Sequence, residues 1–166
     1  MAIETKKISD ASSSVQRMLE RADKAVNQEN YGYAFEILRN ILLSEPGLTD
    51  ARKKLRHAQL ASAGHKTNLL RRITAMVKTA WPIYVKGPAT LRKQNYSHAL
   101  DIAEKAMEAD PTLISTLNFL TQAARQAGLL EEAVNAMETA VKFNQKKTDA
   151  LKQLAELYQQ QGQATK

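Results

Sequence analysis

The residues best equipped for chemistry are three histidines, His57, His65 and His98, and their spacing builds no site. A helical metal pair needs two ligands one turn apart, as in HExxH or HxxxH, and none of the three has such a neighbour. There is no cysteine, which excludes disulfide frameworks, Cys-zinc sites and thiol nucleophiles. Gly32, Gly47, Gly64, Gly87, Gly128 and Gly162 each stand alone, so no glycine-rich loop cradles a phosphate. Glu131 and Glu132 read as a first-turn pair facing a helix dipole and not as an acid/base dyad. The expectation is a protein that is not an enzyme and that has neither metal nor cofactor.

What the chain concentrates is positive charge. Lys and Arg number 24 against 17 Asp and Glu, a net charge of +7. Residues 1–50 hold six basic and eight acidic side chains, residues 94–166 seven and nine, and residues 51–93 eleven and none. Arg52, Lys53, Lys54, Arg56, Lys66, Arg71, Arg72, Lys78, Lys86, Arg92 and Lys93 make up that block. A helix face whose only task is solubility mixes both signs and gains i,i+4 pairs. This block forgoes them, so it is expected to meet an acidic partner. Trp81 and Tyr84 lie inside it, placed either to pack between helices or to anchor in a lipid headgroup layer, against a peptide or on a base.

Helices must present these groups. Few glycines and prolines, with abundant Leu, Ala, Lys, Gln and Glu, predict helices joined by short turns. Apolar spacing predicts nine of them: 13–27, 31–44, 49–62, 66–80, 82–93, 96–109, 113–127, 130–143 and 148–161. Leu69, Leu70, Ile73, Met76, Val77 and Ala80 form a clean stripe on the helix over 66–80, expected to be buried against neighbouring helices, with insertion into a membrane surface as the alternative. Pro82 suits the first turn of a new helix, and Gly87-Pro88 should kink that helix or delay its start. Residues 1–11 are expected to be a disordered tail, and 12–163 one domain. No apolar run approaches the roughly 18 residues of a membrane span, and the first residues lack the apolar stretch of a secretory signal, so a cytoplasmic protein is expected.

The sequence also repeats itself. Gln94, Tyr96, Ala99, Ala103, Ala106 and Pro111 recur 34 residues later as Gly128, Leu130, Ala133, Met137, Ala140 and Gln145. Leu117, Leu120 and Ala124 precede the second set, Leu151, Leu154, Tyr158 and Gly162 continue the phase, and Tyr31, Ala34, Leu38, Ile41 and Pro46 show it upstream. Small residues such as Ala34, Ala99 and Ala133 let helices approach closely, large ones fill the gap to the next unit, and a closing proline stops the second helix. This pattern resembles the tetratricopeptide repeat (TPR). From Pro46 to Pro111 is 65 residues, three short of two repeats, so the phase slips by about one helical turn in the middle.

The resemblance implies an all-α, right-handed α-solenoid of about four helix-turn-helix repeats, near 15–48, 49–80, 81–113 and 114–147, with a C-terminal capping helix over 148–161. It places Trp81, Tyr84, Lys53, His57, Asn118, Gln122 and Arg125 at positions that line a concave groove in the family, without the full carboxylate-clamp pattern. The stretch Leu151-Lys-Gln-Leu-Ala-Glu-Leu-Tyr-Gln-Gln-Gln-Gly162 is similar to the first helix of kinesin light chain repeats. A likeness to the bacterial kinesin light chains implies a scaffold for acidic surfaces such as bacterial tubulin filaments, located on filaments or at the inner membrane face. The candidate contact residues are Arg52, Lys53, Arg56, His57, Arg71, Arg72, Lys78, Trp81, Tyr84, Lys86, Arg92, Asn118, Gln122 and Arg125. An anionic membrane is the second partner open to this block. Nucleic acid is the third, with no recognised motif behind it.

Overall fold

Amphipathic periodicity and local caps set the elements. The computed structural model describes residues 3–64, 69–143 and 147–162, apart from the side chains of Leu69, Arg71 and Lys147. A 3-10 turn over Ile8–Asp10 leads into α1 (Ser13–Asn27), α2 (Tyr31–Ser44), α3 (Thr49–Ala63) and α4 (Leu69–Trp81). A π-helical turn (Pro82–Lys86) follows, then α5 (Gly87–Arg92), α6 (Tyr96–Ala109), α7 (Ile114–Ala127), α8 (Leu130–Phe143) and α9 (Lys147–Gln160). The chain is all-α: among the described residues the only strand-like pairing is one parallel bridge between Lys6 and Leu48.

Three of the turns share one construction. Glu29, Gln94 and Gly128 adopt left-handed backbone, with φ of 56°, 56° and 82°. The next residue's N–H reaches back to the preceding helix: Asn30 to the Ala25 carbonyl, Asn95 to Thr90 and Leu129 to Ala124. Asn30 and Asn95 then cap the following helix, accepting from the N–H of Tyr33 and His98. The 34-residue echo between Gln94 and Gly128 is therefore a repeated αα-hairpin turn. Only Gly128 adopts this conformation without steric strain from a Cβ.

Two apolar clusters result. Leu19, Ala22, Leu38, Ile41, Leu48, Leu55 and Ala58 join α1–α3. Ile83, Ala99, Leu100, Met107, Leu117, Leu120, Ala133, Met137 and Leu157 join the π turn and α5–α9. Ala34, Ala99 and Ala133 are fully buried, as close helix approach demands. Helices adjacent in sequence pack on one another from α1 to α3 and from α5 to α9, and α2 crosses to α6 to join the two groups.

The middle departs from expectation in three ways. There is no break at Trp81–Pro82: Trp81, Lys86 and Gly87 all have right-handed helical backbone, so α4, the π turn and α5 form one continuous run. Proline 88 has no N–H and crowds the carbonyl four residues back, and the wider π turn ahead of it gives that carbonyl room. Second, α4 does not pack as a neighbour of α3; its substantial contacts are with the π turn and α6. Third, the segment expected as a disordered tail is tied down from Ile3 onward. The Ile3 N–H donates to the Ala127 carbonyl at 2.7 Å, the Lys6 N–H to the Gly47 carbonyl at 2.8 Å, and Ala11 is buried in the first cluster. The start of the helix predicted from 66 lies outside the described residues.

Candidate functional site

The basic block divides into two parts with opposite fates. Its first part, on α3, is spent inside the protein. Arg52 and Arg56 are buried, not available to a partner as expected. The Arg52 guanidinium donates to the Pro46 carbonyl at 2.8 Å and lies 3.4 Å from Glu104. Arg56 donates to Glu132 at 2.8 Å and to Gln59 at 2.6 Å, with Glu104 at 3.5 Å. Gln59 in turn donates to the Glu104 carboxylate at 3.2 Å. Beside this seam Arg39 donates to Asp101 at 2.8 Å and to Glu108 at 3.4 Å.

Burial and pairing compete in these groups. Burial opposes the Arg56 charge, but Glu104 and Glu132 outweigh it and hold its pKa above the ordinary value. Burial, with Glu132 adding like charge, pushes Glu104 up despite Arg56 and Arg52. Asp101 is held below the usual carboxylate range because hydrogen bonds from Arg39 and Lys105 overcome its burial. On the surface, Lys53 pairs with Glu131 at 2.8 Å, a hydrogen bond that raises the lysine, and Lys54 pairs with Asp23 at 2.7 Å. The carboxylates that neutralise this arginine-rich helix come from α1, α6 and α8. Spacing along α3 could not reveal them, since the Arg56–Glu132 pair spans 76 residues.

The second part stays open. Arg72, Lys78, Lys86, Arg92 and Lys93 are exposed, and none makes an ion pair among the described residues. Arg71 has no described side chain and Lys66 lies outside the described residues. Between them the apolar stripe expected to be buried faces outward. Ala75, Thr79 and Ile83, at i, i+4 and i+8, form the buried seam. On the other side Leu70, Val77, Trp81 and Tyr84 are 69%, 73%, 62% and 67% exposed, joined by Ile73, Met76 and Val85. Of the thirteen large exposed hydrophobics among the described residues, seven lie between positions 70 and 85. That concentration sets the patch apart from ordinary scattered exposure. The sequence pattern finds the stripe but assigns it to the interior, whereas α4 packs on the π turn and α6 through its other side.

The remaining candidates do not assemble with this patch. His57 is exposed on α3, and Asn118, Gln122 and Arg125 are exposed on α7, two helices that are not packed as neighbours. No group of three or more potential metal ligands exists among the described residues. No family model matches the chain, and no curated protein matches it.

Proposed function

We propose that this protein is a non-enzymatic scaffold of TPR type that attaches to an anionic membrane surface through α4 and the π turn. The observation that carries the reading is the exposed stripe from Leu70 to Val85, set in a stretch, residues 69–93, with six basic and no acidic side chains. Such a helix lies in the interface plane, its apolar face in the acyl boundary and its cations at the headgroups. Trp81 and Tyr84 suit that depth, being apolar rings with a polar tip. The contribution of each cation is about 1 kcal/mol at an anionic surface, so Arg72, Lys78 and Lys86 together supply about 3 kcal/mol before any apolar gain. At thirteen residues, α4 is about 20 Å long. No described helix is long and apolar enough to cross a membrane.

An acidic protein surface, such as a tubulin-type filament, is the second reading, and the exposed Arg72, Lys78, Lys86, Arg92 and Lys93 favour it too. It leaves the apolar stripe without a role. Sedimentation with neutral and with anionic phospholipid vesicles tests the assignment, with emission from Trp81, the single tryptophan, as the second readout. Binding to anionic vesicles alone, a blue shift and loss of both in Arg72→Glu/Lys78→Glu/Lys86→Glu are expected. Sedimentation with acidic filaments in the absence of lipid, and none with vesicles, would overturn it in favour of the second reading.

A further inference from the structure

The strap at the start of the chain runs along a shallow cleft, with Ile3 half-buried and residues 4–8 exposed. Its hydrogen bonds to the helices are made, on the strap side, by main-chain groups. The Ile3 N–H donates to the Ala127 carbonyl at 2.7 Å and the Lys6 N–H to the Gly47 carbonyl at 2.8 Å. The Lys6 carbonyl accepts from the Thr49 N–H at 3.3 Å, and the Ile8 N–H donates to the Asp50 carboxylate at 2.9 Å. Ala127 ends α7 in the second group, whereas Gly47 lies in the α2–α3 turn and Thr49 and Asp50 open α3 in the first. The strap thus spans both groups of helices. Beside Thr5 the cleft is lined by Thr49, Arg52 and Lys53 from α3 and by Leu129, Glu131 and Glu132 at the start of α8.

Gly47 is fitted to this occupant. A Cβ there would come 1.8 Å from the Glu4 carbonyl oxygen, and its backbone is not left-handed. Close approach of the strap, and not a special φ, is what the glycine serves. Strap side chains contribute at two points: Ile3 packs on the second cluster, and Lys6 lies 3.9 Å from Glu45.

We propose that this cleft is a binding site for an extended peptide and that residues 3–8 are its resident occupant. Main-chain pairing of this kind supplies sequence-tolerant affinity, and pockets for particular side chains supply selectivity. The partner is therefore an extended segment with a branched aliphatic residue followed three positions later by lysine or arginine. A tethered occupant acts at millimolar effective concentration. A competitor must bind well below that level to displace it, which keeps weak ligands out.

The test uses the full chain and a fluorescent peptide of residues 2–10, followed by polarisation. Ile3→Asp/Lys6→Pro removes the apolar contact and the N–H that Gly47 accepts, while leaving the cleft intact. Amide exchange at Thr49, whose N–H bonds to Lys6, reports release, and circular dichroism reports the fold. The peptide is expected to bind the released variant at least tenfold more tightly than the wild type, and adding Gly47→Val is expected to remove that gain. A released, folded variant that binds the peptide no better than wild type overturns the proposal, as does a gain that survives Gly47→Val. Thr49 remaining protected in the double variant overturns it too, since the strap would then be held by other groups.

Discussion

The Arg56 guanidinium donates to the Glu132 carboxylate at 2.8 Å, joining α3 of the first helical group to the first turn of α8 in the second. Glu104 lies against the same guanidinium, so one buried cation faces two carboxylates, and the Arg56 Nε has no partner among the described residues. Charges taken this far out of water gain little net stability, but their geometry fixes how the two groups dock.

Truncating the cation should expose that dependence. Arg56→Ala leaves Glu104 and Glu132 close together with less compensating charge, and loss of one partner of a buried pair costs about 3–5 kcal/mol. Urea unfolding at neutral pH is expected to show a loss in that range. A loss under about 1 kcal/mol would show the seam to be solvated.

The seam also sets a pH dependence of mixed sign. Glu104 and Glu108 are raised by burial, so the folded chain takes up their protons before the unfolded chain does. Their contribution is complete below the ordinary glutamate value of 4.5 and is lost as pH rises through the folded value. Asp101 is lowered, so its contribution is present above 3.8 and lost as pH falls through its folded value. Relative to wild type, Glu104→Gln should flatten part of the gain in unfolding midpoint between neutral pH and 4.5, and Asp101→Asn should remove part of the drop at lower pH. Identical pH profiles for wild type and both variants would refute the assignment.

Local pattern revealed the helices and little of what they meet. The spacing of Leu38, Leu117 and Met137 places their helices and the buried faces, and Ala34, Ala99 and Ala133 mark the close approaches. Periodicity says that one side of a helix is apolar without naming the neighbour that covers it, which is why the stripe at Leu70–Val77 reads as interior in the sequence. Arg52 and Arg56 look free on α3 because Glu104 and Glu132 are supplied by distant helices. The strap carries no period at all, being held through its main chain. Its one trace in the sequence is Gly47, a glycine whose need is visible only once Glu4 lies against it.

Gly87 is held in place by a ring. Inside a helix, Gly→Ala ordinarily stabilises by about 1 kcal/mol, but here the new Cβ would lie 2.4 Å from the Phe119 ring of α7. Overpacking should win, with Gly87→Ala destabilising by about 1–3 kcal/mol. Pairing it with Phe119→Leu should recover part of the loss, because the shorter side chain vacates the ring's far end. Thermal unfolding of the two single variants and the double variant gives the coupling directly. Additive effects would mean that α5 and α7 do not meet through this pair.

Ala75 and Val77 sit two residues apart on α4 and face opposite environments, 2% and 73% exposed. An aspartate at 75 buries an unpaired carboxylate against the body of the protein, whereas one at 77 projects into water. Ala75→Asp is therefore expected to lower stability by several kcal/mol. Val77→Asp should change it by no more than about 0.5 kcal/mol, the usual range for a surface site. Vesicle binding should reverse that ranking in severity: a charge at 77 enters the centre of the apolar stripe and opposes insertion, so a fully folded Val77→Asp should lose most of its partition onto anionic vesicles. The two readouts are independent, urea unfolding for stability and sedimentation for binding. A Val77→Asp chain that unfolds early would place the stripe in the core, and one that is stable and still binds would show that the cations alone hold the surface.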